Sequence, residues 1–321
     1  MKKLVITGIL FLMAALLSGC KTAELEDRDF PIEVAVTQTQ HFSNEWLNAE
    51  QDGNRVVDYN HLKVMILSQE FIEDKNGMEE LLTMLEKKND VPRNTYLAVA
   101  REPEKLMALK GEDGESVGDY LEELFENVSD TDKKVYPTLG MMYQEQENRR
   151  ETLFIPYVGE ADKKPVIEGF YVWKRGRAAG KVDDATAMLS FFTQNRRDDY
   201  TLSLDKENVV RLFAPHNDLV FRKDSREIVV NVVCSGEMLY QNPKDAYSRE
   251  DFRTMAEKYM NGVASSSLEK AKDRELVDVT NSFKKLGGYD RDEYMVYRKD
   301  SSWYEEGLRI VYHVQIDWVN M

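Results

Sequence analysis

Histidine and cysteine are scarce in this chain of 321 residues, which has four of the first and two of the second. The histidines are His41, His61, His216 and His313, and no two of them stand four residues apart or beside a cysteine. Metal sites built from these residue types show such spacings, so the sequence predicts no metal ligands. We expect the histidines to have structural or surface roles.

The sequence motifs of several large enzyme classes are also absent. There is no GxxxxGK[ST] phosphate loop, no GxGxxG after a strand, no GxSxG turn and no CxxC pair. Adjacent carboxylates such as Asp198-Asp199 are expected by chance among 58 acidic residues, and Asp183-Asp184 is typical of a helix start. Ser265-Ser266-Ser267 is interpreted as a loop or a helix start. The sequence therefore predicts a protein that is not an enzyme and needs no cofactor.

Positive charge is in short supply as well. The chain has 43 Lys and Arg against 58 Asp and Glu, a formal net charge of −15. Nucleic-acid binding depends on Lys and Arg that neutralise phosphates, so this balance argues against a nucleic-acid partner. With 42% hydrophobic and 31% charged residues, the composition is globular and the length suits two or three domains.

The chain has one long apolar run, and it lies at the N-terminus. Two lysines precede residues 4–17, and Ser18 and Gly19 end the run just before Cys20. A membrane-spanning helix needs about 20 apolar residues, which is more than this run offers. Residues 1–19 are therefore interpreted as a secretory signal peptide.

The end of this run resembles the bacterial lipobox, in which small residues precede a cysteine. By that resemblance the Cys20 thiol is joined to diacylglycerol, the chain is cut before it, and residues 20–30 form a lipidated tether. Two acyl chains hold a protein stably at a bilayer, so the mature protein would be anchored rather than spanning. An ordinary leader with a chance cysteine is the alternative. Cys234 would then have no disulfide partner, and its apolar surroundings predict a buried strand residue.

Strand and helix patterns alternate in the first half of the chain. Strands are predicted at 31–37, 61–68, 95–100 and 153–155, and helices near 78–85 and 116–128. The charged break at 160–165 is the best candidate for a domain boundary. We therefore expect an N-terminal α/β domain at 31–163 and a C-terminal α/β domain at 164–321.

The second half shows closely spaced strands and long helical patterns. Strands are predicted at 166–174, 200–204, 209–213, 219–221, 228–233 and 308–319, and helices begin near 183 and 248. The clustered strands predict an antiparallel meander. Helical periodicity resumes after Gly262 and continues to Leu286, so one long or broken helix is expected. The fold class is α+β, a mixed α/β multi-domain protein with antiparallel or mixed sheets and a long C-terminal helix.

Several blocks, taken in order, resemble the Ger(x)C family, the lipoprotein C subunits of nutrient germinant receptors in spore-forming Gram-positive bacteria. After the lipobox and residues 24–28 and 32–36, the matching blocks are Asn60–Leu67, Gly77-Met78, Arg93 with 96–100, Gly118–Leu121, 153–156, 168–174 to Gly180, Trp303-Tyr304 and 311–318. No block is a catalytic signature, and the resemblance depends on their shared order over nearly the whole mature chain.

The resemblance implies a lipoprotein on the outer face of the spore inner membrane, with membrane-embedded receptor subunits and the bilayer as partners. It also implies a mixed α/β fold in more than one domain without a recognised catalytic centre. Contact with a small-molecule germinant stays open, and no ligand-binding residue is assigned. Tyr312 and Trp318 could dock a partner, although a core position is favoured.

Two other functions compete with a receptor subunit. A solute-binding lipoprotein of an importer suits the anchor and the length, but it needs two similar lobes of βα repeats. The clustered strands between 200 and 233 argue against that arrangement. An anchored hydrolase is the weakest alternative, because no nucleophile and base can be brought together from the sequence.

Overall fold

The computed structural model describes residues 28–37, 56–74, 76–88, 91–111, 113–127, 135–148, 152–174, 176–197, 199–205, 207–222, 227–241, 247–270, 287–288, 290–292, 294–295 and 309–320. Its strands are β1 (Arg28–Asp29), β2 (Glu33–Val36), β3 (Val56–Val57), β4 (Val64–Ser68), β5 (Tyr96–Ala100), β6 (Thr152–Ala161), β7 (Lys164–Lys174), β8 (Arg177–Val182), β9 (Asp199–Ser203), β10 (Asn208–Arg222), β11 (Glu227–Gln241) and β12 (Arg309–Asn320). Its helices are α1 (Gln69–Glu73), α2 (Gly77–Lys88), α3 (Pro103–Met107), α4 (Val117–Glu126), α5 (Leu139–Asn148), α6 (Asp184–Thr193) and α7 (Arg249–Lys270).

Six strands form the first sheet, in the order β2-β4-β5-β6-β7-β8. The first four strands are parallel, and β7 and β8 continue the sheet as antiparallel neighbours. Every residue of β4 and β5 is buried. Central parallel strands are apolar throughout because helices cover both faces of their sheet, which explains the unbroken apolar runs in the sequence.

Helices lie on both faces of this sheet. On one face, α2 contributes the predicted stripe of Met78, Leu81, Leu82 and Leu85 to a core shared with α1 and α5. On the other face, α4 buries Val117, Leu121 and Phe125. Both helices predicted from this periodicity are confirmed. At the start of α4 the Ser116 hydroxyl oxygen accepts a hydrogen bond from the Asp119 amide and caps the helix.

The second sheet has the order β12-β11-β10-β9. Strands β9, β10 and β11 are antiparallel in sequence, which confirms the meander, whereas β12 is parallel to β11. A parallel neighbour needs a crossover connection, and α7 lies within it. Phe252, Ala256, Met260 and Ala264 of α7 pack into the core beside the sheet.

Helix α6 joins the two sheets. Its residues from Thr186 to Thr193 are all buried, as expected for a helix without a polar face. The ring of Phe191 lies 5.6 Å from that of Phe154 in the first sheet. The hydroxyl groups of Thr193 and Tyr312 are 2.8 Å apart and link α6 to the second sheet. One apolar core therefore extends through α6 from sheet to sheet.

The predicted boundary between domains falls inside the first sheet. Asp162 and Lys163 form the turn between β6 and β7, with the positive φ angles of 51° and 63° that a tight hairpin requires. Residues 164–182 are thus part of the sheet that begins at Glu33. Charged turn residues look alike in a hairpin and in a linker, which is why the sequence pattern misplaces this segment. We propose a division after Val182 instead.

Other elements differ from the sequence pattern in detail. The two segments predicted at 209–213 and 219–221 are one strand, β10, with an irregularity after Phe213 where Ala214 has a φ angle of 50°. Helix α7 continues through Gly262 to Lys270 without a break. The rest of the predicted long helix, 271–286, lies outside the described residues. The short helices α1 and α3, helix α5 and strand β8 were not predicted.

Candidate functional site

A pocket of about 460 Å³ lies where the start of α6, the end of β9 and one side of α7 meet. It is lined by Asp183, Ala185, Thr186, Leu204, Met255, Lys258, Tyr259, Gly262, Val263 and Ser266. This volume is within the range of small-molecule sites, which have apolar walls and a few polar groups that orient the ligand. The lining here has that composition.

The first wall of the pocket is the N-terminal turn of α6. Asp183 caps the helix, because its Oδ1 atom accepts a hydrogen bond from the Thr186 amide at 3.0 Å. This confirms the interpretation of Asp183-Asp184 as a helix start. Burial raises the pKa of the neighbouring Asp184, an effect that the positive charge of Arg197 opposes.

Tyrosine side chains connect this wall to α7. The buried Tyr200 hydroxyl on β9 donates a hydrogen bond to the Ala185 carbonyl oxygen at 3.2 Å. The same hydroxyl interacts with the side chain of Tyr259 on α7, and burial raises the pKa of Tyr200 far above its usual value. Tyr200 therefore stays protonated at all physiological pH values and holds the pocket walls together.

The position of α7 is set by hydrogen bonds to the edge of the second sheet. The amide group of Asn261 pairs with the backbone of Tyr312, accepting from its N–H at 2.9 Å and donating to its carbonyl oxygen at 3.0 Å. Arg253 donates to the Val314 carbonyl oxygen at 3.3 Å. These side chains replace a neighbouring strand at the edge of β12, which fixes the helix that forms the second wall.

One charge of each sign lines the pocket. Asp183 belongs to the α6 wall, and the exposed Lys258 belongs to the α7 wall. Within the described residues Lys258 makes no ion pair, whereas Arg253 on the same helix pairs with Glu250 and Glu257. The ammonium group of Lys258 is therefore available to a bound molecule.

Gly262 is an unusual residue for its position. It lies in the interior of α7, where glycine costs about 1 kcal/mol of helix stability relative to alanine. A Cβ atom at this site would meet no atom of the described chain within 4 Å, so close packing does not require a glycine. The effect of the missing side chain is to leave the pocket wall open between Tyr259 and Val263.

Cys20, the predicted lipid attachment site, lies outside the described residues, as does His41. The remaining three histidines are in separate places: His61 packs against Phe30, His216 lies in β10 and His313 faces Glu257. Among the described residues, no three His, Cys, Asp or Glu side chains come together as a metal ion would require.

Two further predictions on single residues are confirmed. Cys234 is buried in β11, where burial raises the pKa of its thiol to about 12. Tyr312 is fully buried and so belongs to the core rather than to a docking surface. The interpretation of Ser265-Ser266-Ser267 as a loop or helix start is wrong, because these residues lie inside α7, with Ser266 at the pocket.

The blocks that carry the family resemblance hold the first sheet together. Lys63 forms ion pairs with Asp119 at 2.9 Å and Glu122 at 2.7 Å, which tie the start of β4 to α4. Hydrogen bonding to Lys63 lowers the pKa of Asp119. Gly169 has a φ angle of 146°, and a Cβ atom there would lie 2.8 Å from the Val182 carbonyl oxygen, so a glycine is required. These residues serve packing and strand register.

No helix in the described part of the chain combines the length and apolar character needed to cross a membrane. Residues 1–19, the apolar run of the sequence, are outside that part.

Comparisons with known proteins agree on one kind of protein. Residues 21–160 match the family model described as the spore germination protein N-terminal domain. A segment of 115 residues is 27% identical to spore germination protein A3 of Bacillus subtilis (strain 168) and covers 36% of this chain and 31% of that protein.

Among solved structures, the fold is similar to the crystal structure of the GerBC protein. The TM-score is 0.60 at 13% sequence identity, over 81% of this chain and 79% of the other. At this identity the similarity concerns the fold alone.

Proposed function

Since residues 21–160 match a spore germination family model, we propose that this chain is a Ger(x)C family protein and the membrane-anchored, non-enzymatic subunit of a nutrient germinant receptor. The observation that carries the proposal is the match of residues 21–160 to the spore germination N-terminal domain. The similarity of the fold to that of the GerBC protein supports it.

The proposed anchor is diacylglycerol on Cys20, on the extracytoplasmic face of the spore inner membrane. Arg28, where the described chain begins with β1, is only eight positions after Cys20. A chain of that length spans at most roughly 28 Å, so the first sheet would stay close to the lipid headgroups. From there it could contact membrane-embedded receptor subunits, which we propose as its partners.

The N-terminal segment enters the fold beside an edge of the first sheet. Asp58 donates a backbone hydrogen bond to the Asp29 carbonyl oxygen at 2.8 Å, and Lys63 donates one to Ile32 at 2.9 Å. The first bond ties the end of the tether to the residue after β3, and the second ties the residue before β2 to the residue before β4. A pull on the anchor would therefore act on the sheet rather than on a loose end.

Co-purification tests this function. A C-terminally tagged chain is isolated in mild detergent from spores and from growing cells, and the associated proteins are identified by mass spectrometry. We expect multi-pass receptor subunits from spores, and we expect to lose them with Cys20→Ala.

Cys234→Ala is the matched control, because it removes the other cysteine without touching the proposed anchor. Cells fed an alkyne-bearing fatty acid should label the wild type and Cys234→Ala but not Cys20→Ala. Label on Cys20→Ala would refute the anchor. Recovery of an importer permease and its ATPase from growing cells would instead identify a solute-binding lipoprotein.

A further inference from the structure

One end of the second sheet carries an apolar patch that faces solvent. Leu239 and Tyr240, near the end of β11, are 50% and 56% exposed, and Val319, near the end of β12, is 57% exposed. Tyr247, two residues before α7, is 39% exposed. In the described part of the chain, these are four of the seven exposed large hydrophobic side chains, so exposure is concentrated here. We call these four residues the end patch.

Backbone pairing and ring contacts place the end patch on a common support. Trp318 pairs with Gly236, and a Cβ atom at Gly236 would lie 3.3 Å from the indole ring, so this ring lies against β11. The ring of Phe252, in the first turn of α7, lies 6.1 Å from that of Trp318 and 5.6 Å from that of Tyr247. The half-buried Trp318 therefore connects the sheet side of the end patch to its α7 side.

Strand β11 extends further than its neighbour β12 at this end of the sheet. The last pair between them joins Glu237 to Asn320, whereas β11 continues to Gln241. Among the described residues, no strand lies beside residues 238–240 on the β12 side. Backbone groups at an open sheet edge can pair with an extended segment of another chain. The end patch therefore flanks a place for an added strand.

The charges around the end patch indicate the kind of partner. Asp317 and Glu237 directly follow or precede residues of the Trp318–Gly236 pair, so they face the opposite side of the sheet from the indole ring. Carboxylates also lie in the first turn of α7 and in the turn before β10; these are Glu250, Asp251, Asp205 and Glu207. The described cations beside these six carboxylates are Arg211, Arg249 and Arg253. The excess of negative charge would repel anionic lipid headgroups and a second copy of the same surface, and it favours a basic partner.

We propose that the end patch binds an extended segment of a partner protein in which apolar side chains alternate with lysine or arginine. The backbone of this segment pairs with residues 238–240 of β11. Because successive side chains of a strand face opposite sides, its apolar side chains contact Trp318 and the end patch while its cations meet Asp317 and Glu237. The surface does not involve Cys20, so this proposal and the proposed anchor can fail separately.

Site-specific photo-crosslinking in intact cells tests this surface. The photoreactive residue p-benzoylphenylalanine replaces Tyr240 in the full-length chain, spores and growing cells are irradiated, and the segment joined to position 240 is sequenced by mass spectrometry. The same residue in place of Val220 is the control, because Val220 is 46% exposed but lies at the other end of the sheet. We expect position 240, and not position 220, to join a segment of another protein with alternating apolar residues and more Lys and Arg than Asp and Glu.

Substitutions around position 240 test the two kinds of contact. Leu239→Ser and Val319→Ser should each lower the crosslink yield by about threefold or more, because apolar contact area is lost. Asp317→Lys should lower it by up to about fivefold through charge reversal. Glu123→Lys, the same reversal at an exposed position of α4, is the matched control and should leave the yield unchanged. All four residues are exposed, so the melting temperatures should stay close to that of the wild type.

Several results would overturn the proposal. Crosslinks from position 240 only to lipid, to a second copy of this chain or to an acidic segment would identify a different occupant. Absence of a crosslink in both kinds of cell would show that the end patch is not a docking surface, as would yields unaffected by Leu239→Ser and Asp317→Lys. A basic segment joined to position 240 in a chain without lipid on Cys20 would refute the anchor and support this surface.

Discussion

Asn217→Ala should destabilise the contact between α6 and the second sheet. Asn217 lies on β10 and is 8% exposed. Its Nδ2 group donates to the Phe192 carbonyl oxygen at 2.8 Å, to the Thr193 carbonyl oxygen at 3.2 Å and to Asn195 Oδ1 at 2.8 Å. It thus caps the C-terminus of the helix whose first turn forms the pocket.

The magnitude follows from the two N–H groups that are lost. A buried hydrogen bond contributes about 1 kcal/mol net, and leaving a buried acceptor without a donor costs about 1–3 kcal/mol. The Phe192 carbonyl oxygen would still accept the Asn195 N–H at 3.1 Å, which limits this cost. Part of this loss is offset, because the Asn217 Oδ1 atom has no partner and its burial cost disappears with the side chain. We expect a net loss of about 2 kcal/mol, or about 4–8 °C in melting temperature.

The assay is thermal and urea unfolding of the full-length chain, followed by circular dichroism. Asn231→Ala, on the neighbouring strand β11, is the matched control and should change stability by less than about 0.5 kcal/mol. Asn217→Asp should be more harmful at pH 7 than at pH 5, because a carboxylate faces carbonyl oxygens while a protonated carboxyl group can donate. If Asn217→Ala and Asn231→Ala unfold alike, the amide does not hold α6.

Three other substitutions and one labelling experiment also have defined expected outcomes. Gly169→Ala should lower the unfolding free energy by about 1–3 kcal/mol through backbone strain, whereas Gly262→Ala should raise it by about 1 kcal/mol; equal urea midpoints would contradict both. The pKa of Asp119 is lowered by Lys63, so the stability from this carboxylate is present at neutral pH and is lost as the pH falls below about 4. Asp119→Asn should remove that loss in acid urea titrations, and an unchanged pH profile would argue against the ion pair. Cys234, with a pKa of about 12, should resist iodoacetamide at pH 8 until urea unfolds the chain; rapid native labelling would show that the thiol is exposed.

Local patterns predicted most elements of the first sheet. The unbroken apolar runs at β4 and β5 indicate strands that are buried on both faces. The apolar stripes of α2 and α4 indicate amphipathic helices. The two patterns are easily told apart, because they have distinct periodicities. Helix α5 was missed, since only Leu139 and Met142 of it enter the core and its polar residues obscure the period. The irregularity at Ala214 was missed because no local residue pattern announces an extra residue in a strand.

The candidate site could not be found from the sequence. Its lining comes from three segments, around Asp183, at Leu204 and from Met255 to Ser266, and no motif links them. Gly262 was the one available signal, and its sequence context suggested a break in a helix. Only the tertiary structure shows that α7 continues through Gly262 and that this glycine lines a pocket between α6 and α7.

The sequence by itself determined the class of this protein: the apolar run before Cys20, the acidic composition, the buried strands and the order of blocks shared with a spore germination family. These properties depend on composition and on local periodicity, which a linear chain displays directly. The tertiary structure alone decided that residues 164–182 complete the first sheet, that α6 carries one core across both sheets, and that Asp183 and Lys258 line the same pocket. Those relations depend on long-range packing, in which each segment satisfies its apolar surface and its hydrogen bonds against partners far away in the sequence.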